Sequence, residues 1–294
     1  MARTQTVDTF VMRKPPSVQR RIIRFLRKKP LGAAGLLIIL LMIAVALTAQ
    51  VFYPAGPNAG SSAIIAPPGG RFLLGSDNLG RDVLARILFG TRTSLTVGLV
   101  AVGVGVTGGL IVGLISGYAG GKVDMVIQRL VDSLMAFPAL VLALAMVAVL
   151  GQSTINVMIA VGITFIPTVS RVVRGTVLSA KENQYVEAAR CLGCQYSRIV
   201  FRHIMPNVLA PVIILATAGL GYAIVVEATL SYLGLGPPPP APTWGGMMQE
   251  GRKYMYMAWW IVLYPGIAIS IAVYGFNLFG DALRDVLDPR LRGR

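Results

Sequence analysis

Four side chains able to bind a metal or react crowd into one stretch, EAARCLGCQYSRIVFRHIMP, residues 187–206, and a fifth stands out by its depth in an apolar run. They are Glu187, Cys191, Cys194 and His203; the fifth is Glu227. Cys191 and Cys194 form a CxxC, a spacing that can serve thiol redox chemistry or metal binding. A metal site needs more ligands than 2 cysteines and 1 histidine readily supply. The pair therefore reads as two small side chains on one helix face, reduced on the cytoplasmic side. The sequence has no GxxxxGK[ST], no HExxH and no nucleophile elbow, so no ATP site, zinc protease site or acyl-transfer site is encoded. The expectation is a non-catalytic chain with no cofactor and no metal of its own. Energy for any work must then come from another subunit.

What remains for residues 187–206 is contact chemistry. Glu187, Ala188 and Ala189 are followed by Gly193 and then Pro206. That order predicts a short helix interrupted by a glycine, then restarted and stopped by Pro206, which opens the next apolar span. Gly193 permits a positive φ that a side chain would oppose. Glu187, near a helix start, suits the positive end of the helix dipole and can pair with a basic residue of a partner. A charged, helix-prone loop between apolar spans gives a soluble protein something to grip. The plainer alternative is an amphipathic connector lying on the bilayer.

The elements that position this loop are written in the composition. Of 294 residues, 55% are hydrophobic and 13% charged, and the mean hydropathy is +0.69. Soluble domains carry about 25% charged residues, and these apolar runs are long enough to cross a ~30 Å hydrocarbon core. The reading is an all-α integral membrane protein with six transmembrane helices. The spans run from Leu31 to Tyr53, Thr93 to Tyr118, Met125 to Leu150, Thr154 to Val173, Asn207 to Leu233 and Ala258 to Phe279. The corresponding division is a basic segment 1–30 with an interfacial helix, the first span 31–53, a loop 54–92, a five-helix unit 93–281 and a tail 282–294. Within that unit the charged loop occupies about 175–206.

The net charge is +15, which raises the question of nucleic acid. The basic residues sit instead in the leader, in the 171–206 loop and at the C-terminus, with no aromatic-interleaved groove. That is the charge bias of a membrane protein whose two termini and Glu187 loop are cytoplasmic. The basic leader, SVQRRIIRFLRKK, also suits contact with anionic lipid headgroups.

Within the spans, Gly105, Gly109, Gly113 and Gly117 recur every four residues, a small-xxx-small ladder that lets two helix backbones approach closely. Glu227 lies inside the fifth span. A carboxylate at that depth is expected to face a bundle interior or a water-filled cavity, which makes it a candidate for the translocation pathway, unless it lies close enough to the outer interface to be hydrated. In the loop 73–92, Asp77 or Asn78 is expected to cap a helix starting near Leu79. A proline-rich turn precedes Trp244 in the other outer loop.

Five stretches together carry a resemblance: LLGSDNLGRDVLARILFGTRTSL, RLVDSLMAFPALVLAL, EAARCLGCQYSRIVFRHIMPN, ATLSYLGLGPPPPAPTWGGMM and FNLFGDALRDVLDPRLR. In this order the chain resembles the C-type inner-membrane permease (DppC/OppC-like) of ABC importers for dipeptides, oligopeptides and nickel. The resemblance implies an ABC type I importer permease bundle with a cytoplasmic coupling helix, in the cell membrane of a prokaryote. Glu187, Ala188, Ala189 and Gly193 would form the EAA loop that docks on an ATPase, and Pro206 would close it. His203 departs from the general EAA pattern, which has an apolar residue there; Ile204 supplies one next to it. The resemblance further implies a B-type permease beside this chain, two ATPase subunits holding ATP and Mg, and an extracytoplasmic substrate-binding protein. Nickel and glutathione are alternative cargoes. A self-sufficient secondary transporter would favour inverted repeats and paired intramembrane charges, and neither is evident.

Overall fold

The computed structural model describes residues 29–287. The expected interfacial helix of the leader and the end of the C-terminal tail lie outside the described residues. Ten α-helices follow in order: α1 Pro30–Phe52, α2 Val83–Ala119, α3 Gly121–Met135, α4 Ala139–Leu150, α5 Thr154–Lys181, α6 Gln184–Cys191, α7 Tyr196–Ile199, α8 Met205–Tyr232, α9 Trp244–Gly251 and α10 Trp260–Leu287. A π-helical segment, Val200–Ile204, joins α7 to α8. The described residues contain no β-strand, only two isolated bridges.

Among the described residues five helices are long and apolar enough to cross a membrane, and α3 with α4 makes a sixth span if the bent pair counts as one. The third span expected from Met125 to Leu150 is this bent pair. It breaks between Met135 and Ala139 with an angle of 88°. Pro138 has no N–H to give, and its ring disfavours a helical Phe137. The composition changes at the same place, because α3 carries Lys122, Asp124, Arg129 and Asp132 whereas α4 has no polar residue.

The second span also differs from expectation, starting at Val83 rather than Thr93. Asp82 is its cap: the carboxylate accepts from the backbone N–H of Leu84 at 2.8 Å and of Ala85 at 3.4 Å. Asp77, expected to cap a helix near Leu79, instead folds the preceding turn by accepting from the N–H groups of Leu79 and Arg81, both at 2.9 Å. At the other end of the chain, α10 continues past Phe279 to Leu287.

Helices α2 and α5 form the most extensive contact in the bundle. The ladder glycines explain the closeness. A Cβ on Gly105 would stand 2.8 Å from the Gly162 carbonyl oxygen, on Gly109 2.5 Å from Val169 Cβ, on Gly113 2.6 Å from the Ser170 carbonyl oxygen, and on Gly117 2.9 Å from Val177 Cβ. Real Cβ atoms do not sit so close, so only hydrogen fits between these backbones. Helix α1 packs on α10 through Gly35 and Gly275 in the same manner. The outward face of α1 stays apolar and exposed, with Leu47 77% exposed. A backbone whose hydrogen bonds are satisfied within the helix can present such a face to lipid.

Candidate functional site

The segment after α5 is built as an elbow. Asn183 precedes α6 and its side-chain amide donates to the carbonyls of Ser179 and Ala180 at 3.1 and 3.2 Å, tying the turn to the end of α5. Helix α6 ends on a left-handed glycine: Gly193 has φ +73°. Its N–H donates to Arg190 O at 2.9 Å, and the Cys194 N–H donates to Ala189 O at 3.1 Å. This 5→2 and 6→1 pair is a Schellman motif, which a residue with a Cβ disfavours.

One side of the elbow is glued down. Val186, Ala189, Ile199 and Ile204 are buried against Val173, Val177 and Ala180 of α5 and Val208 of α8. The other side faces outward. Glu187 and Ala188 are exposed, with Arg190, and Leu192 and Tyr196 are 83% and 76% exposed. The expected partner-facing set is therefore divided. Ala189, three residues after Val186, belongs to the chain's own core by helical spacing, while Glu187, Ala188 and Gly193 share the open surface. A Cβ at Gly193 would meet no atom within 4 Å.

Pro206 does not stop the helix or close the loop. It is the second residue of α8, and Tyr196–Tyr232 runs as one helical rod. The π segment makes this possible. The Met205 N–H donates to Val200 O, one residue further back than in an α-turn, just before the proline whose missing N–H would have left a gap. Cys191 and Cys194 are free thiols that straddle the glycine turn instead of sharing a helix face. Among the described residues no His, Cys, Asp or Glu cluster could hold a metal. His203 lies against Tyr185, ring centroids 6.4 Å apart.

A charged clamp lies behind the elbow, unread in the sequence. Arg174 of α5 forms a bidentate pair with Asp124 of α3, at 2.7 and 2.6 Å. Ser116 of α2 donates to the same carboxylate. Lys181 donates to the Gly117 carbonyl at 3.1 Å. The clamp ties α2, α3 and α5 together where the elbow begins. The only trace in the sequence is opposite charge at the ends of two apolar runs, fifty residues apart.

The opposite end of the bundle holds a second charged cluster. Arg81 donates to Asp77 at 2.5 Å and to Glu250 at 2.6 Å. Arg86 lies 3.7 and 3.6 Å from the same two carboxylates and donates to Asn58 at 3.2 Å. The cluster locks the 54–82 loop to α2 and α9. Beside it is a polar cavity of about 180 Å³ under the proline-rich turn.

Glu227 faces the bundle interior, the first of the surroundings expected of it. It is fully buried, and its two oxygens accept from Ser231 at 2.8 Å and from Ser94 of α2 at 3.2 Å. It thus joins α8 to α2 inside the chain. Both hydroxyls satisfy a carboxyl group that the apolar interior would otherwise penalise.

Comparison with known proteins places these features among membrane transport components. Residues 109–293 match the family described as binding-protein-dependent transport system inner membrane component. A dipeptide transport system permease protein DppC of Alkalihalophilus pseudofirmus is 41% identical over 93% of this chain and 90% of its own length. A glutathione transport system permease protein GsiD of Pectobacterium atrosepticum is 43% identical over 92% of this chain and 90% of its own. In fold, the chain is similar to a subunit of the MetNI methionine ABC transporter in an inward-facing conformation, with a TM-score of 0.57 and 19% identity. That likeness covers 70% of this chain and 96% of the other.

Proposed function

The chain belongs to the binding-protein-dependent transport system inner membrane components, and from that premise we propose that its elbow, residues 184–206, is the surface through which an ATPase drives it. It is the permease subunit of an ABC importer, and such a permease works with an ATPase and a binding protein. In our reading it pairs with a second, B-type permease above two ATPases, which hold the ATP and Mg, and it forms half of the pathway. Its termini and elbow face the cytoplasm, as the distribution of lysine and arginine favours. The cargo is a dipeptide or short oligopeptide, in keeping with the relatives named for peptides. Glutathione, itself a small peptide, is the second reading, favoured by the 43% identity to a permease named for it.

The observation that carries the coupling role is the division of the elbow. Its apolar side is fixed to α5 and α8, while Glu187, Ala188 and Gly193 stand free on a rigid turn. A partner that grips α6 therefore moves a packed body and not a loose loop. Alternating access then needs only that ATP favour one of two packings of the bundle.

The test is Gly193→Trp. A Cβ at Gly193 meets no atom within 4 Å, so the indole starts from open space, and the left-handed φ costs about 1 kcal/mol. The variant is expected to insert at normal levels yet lose ATPase recovery with tagged permease, and uptake with it. Full ATPase association together with full uptake would reduce the elbow to a connector.

A further inference from the structure

Helix α3 is held unlike any other helix of the bundle. Every other helix supplies residues to one of the apolar clusters, and among the described residues α3 supplies none. Of its 15 residues only Val131 is buried. What seats α3 is polar. Asp124 accepts two hydrogen bonds from Arg174 of α5, at 2.7 and 2.6 Å, and a third from Ser116 of α2. Gln128, one turn on, donates to the same Ser116 hydroxyl at 2.8 Å. One turn further, Asp132 accepts from Arg171 of α5 at 2.6 Å. The spacing of four residues puts Asp124, Gln128 and Asp132 on one face. The Asp132–Arg171 pair lies open to solvent, where an ion pair is weak and screened by salt.

Both ends of α3 are corners. Gly120 and Gly121, at φ +65° and +53°, separate it from α2, and a Cβ on Gly121 would meet nothing within 4 Å. After Met135, residues 136–138 make the 88° break before α4. Helix α3 is thus a rod of about 22 Å at 1.5 Å per residue, set between two pivots, with little apolar contact to lose. A helix seated by charge leaves its seat when the charge is removed or screened; one seated by apolar burial does not. We propose that α3 is a charge-latched strap, which moves between this seated position and one in which Asp124 and Asp132 have left α5. It pivots at Gly120 and Gly121, and the link 136–138 gives its far end room to travel. The latch is within reach of the elbow. Arg174 and Lys181 lie on the last two turns of α5, and Lys181 donates to the Gly117 carbonyl beside the pivot at 3.1 Å. A shift of the elbow therefore pulls on the latch, and the released strap passes the shift to α4. This link to the elbow rests on the coupling role proposed above; the release of α3 does not.

The test uses the full chain in lipid nanodiscs without an ATPase, so its failure would leave the coupling role standing. In a background of Cys191→Ser and Cys194→Ser, spin labels at Ser133 of α3 and Ser179 of α5, both exposed, report their separation by double electron–electron resonance. The background protein is expected to show one narrow distance at low salt. Arg171→Asp sets two carboxylates against each other and should add a second population displaced by about 5 Å, within the reach of a three-residue link. Exchanging the charges, Asp132→Arg with Arg171→Asp, should restore the single distance. Asp124→Ala with Asp132→Ala removes both pairs and should make the displaced population the main one. Arg171 and Asp132 are exposed, so the exchange variants should fold normally, and size exclusion checks this. A single unchanged distance in Arg171→Asp would overturn the proposal, as would a displaced population that the charge exchange fails to reverse.

Discussion

At the end of the bundle carrying Trp244, Arg81 and Arg86 are 6% and 2% exposed and are met by Asp77 and Glu250. At the end carrying Glu187, Arg190, Arg198 and Arg202 are exposed and meet no carboxylate among the described residues. One aromatic at each end shows the same contrast. Trp244 is 1% exposed and its indole N–H donates to the Ile87 carbonyl at 3.1 Å, whereas Leu192, Tyr196 and Phe201 lie open. Charges and large apolar groups that are satisfied internally leave a surface little to offer, and those left open mark a place of contact. At the first end the charged cluster and Trp244 are closed by the chain's own residues, although Leu73, Tyr256 and Met257 stay exposed there. The other is closed only up to the charged clamp of Asp124 and Arg174, and beyond that it is unfinished.

The glycine seam, Gly105 to Gly117, holds the half of α2 nearer the elbow against α5, so breaking it should unsettle the packing on which both ends rest. Gly113→Leu drives a side chain against the Ser170 carbonyl, a backbone atom that cannot rotate aside. The cost exceeds the roughly 1–3 kcal/mol of ordinary overpacking. The expected outcome is no monodisperse protein on size exclusion; a normal elution profile and normal uptake would mean the helices can part cheaply. Next in size is Asp77→Ala at the closed end. It leaves two buried arginines with one shared carboxylate, and breaking such a cluster costs about 3–5 kcal/mol. Thermal unfolding in detergent should shift down by many degrees. A shift within error would dissolve the contrast between the ends.

Smaller effects sharpen the comparison at the elbow end. Asp124→Asn keeps a hydrogen-bond acceptor for Arg174 but removes the charge from a partly exposed pair, so about 1 kcal/mol is expected. Partial loss of ATPase recovery at unchanged membrane level would place the clamp in the support of the elbow; a large unfolding shift would make it as structural as the closed end. Lys29→Ala is the baseline. Its pair with Asp285 is 43% and 41% exposed, and the change should cost less than ~1 kcal/mol. A measurable fall in melting temperature there would show that even exposed pairs matter in this bundle.

Apolar length and glycine spacing were legible because both are local. Six apolar runs, the ladder at every fourth residue of α2 and the glycine turn at 193 each depend on residues within a few positions. The bend between α3 and α4 was harder, since hydropathy sums over a window and carries no direction. Pro138 and the charges confined to α3 were its only signs. The burial of Ala189 follows from its spacing with Val186, which a motif read as a string of residues does not convey. Pro206 misled for the opposite reason. A proline predicts an interruption, and the neighbouring π turn absorbs it without any mark in residue type. The environment of Glu227 rests on Ser94, 133 residues away, and no pattern along the chain announces such a pair.

The unbroken run from Tyr196 to Tyr232 has 37 residues, about 55 Å of rod at 1.5 Å per residue. It starts at the elbow and reaches Glu227 with no flexible linker between. Motion imposed at Tyr196 is therefore carried toward the Glu227–Ser94 bond by continuous helix, with the hydrogen bond missing at Pro211 as the point of give on the way. The π segment is the one place where that rod holds a residue more than an α-turn needs, and a surplus of this kind can migrate. Passing it along the helix by one position turns every side chain it has crossed relative to those still ahead, much as a ruck carried along a carpet moves the whole cloth by small steps.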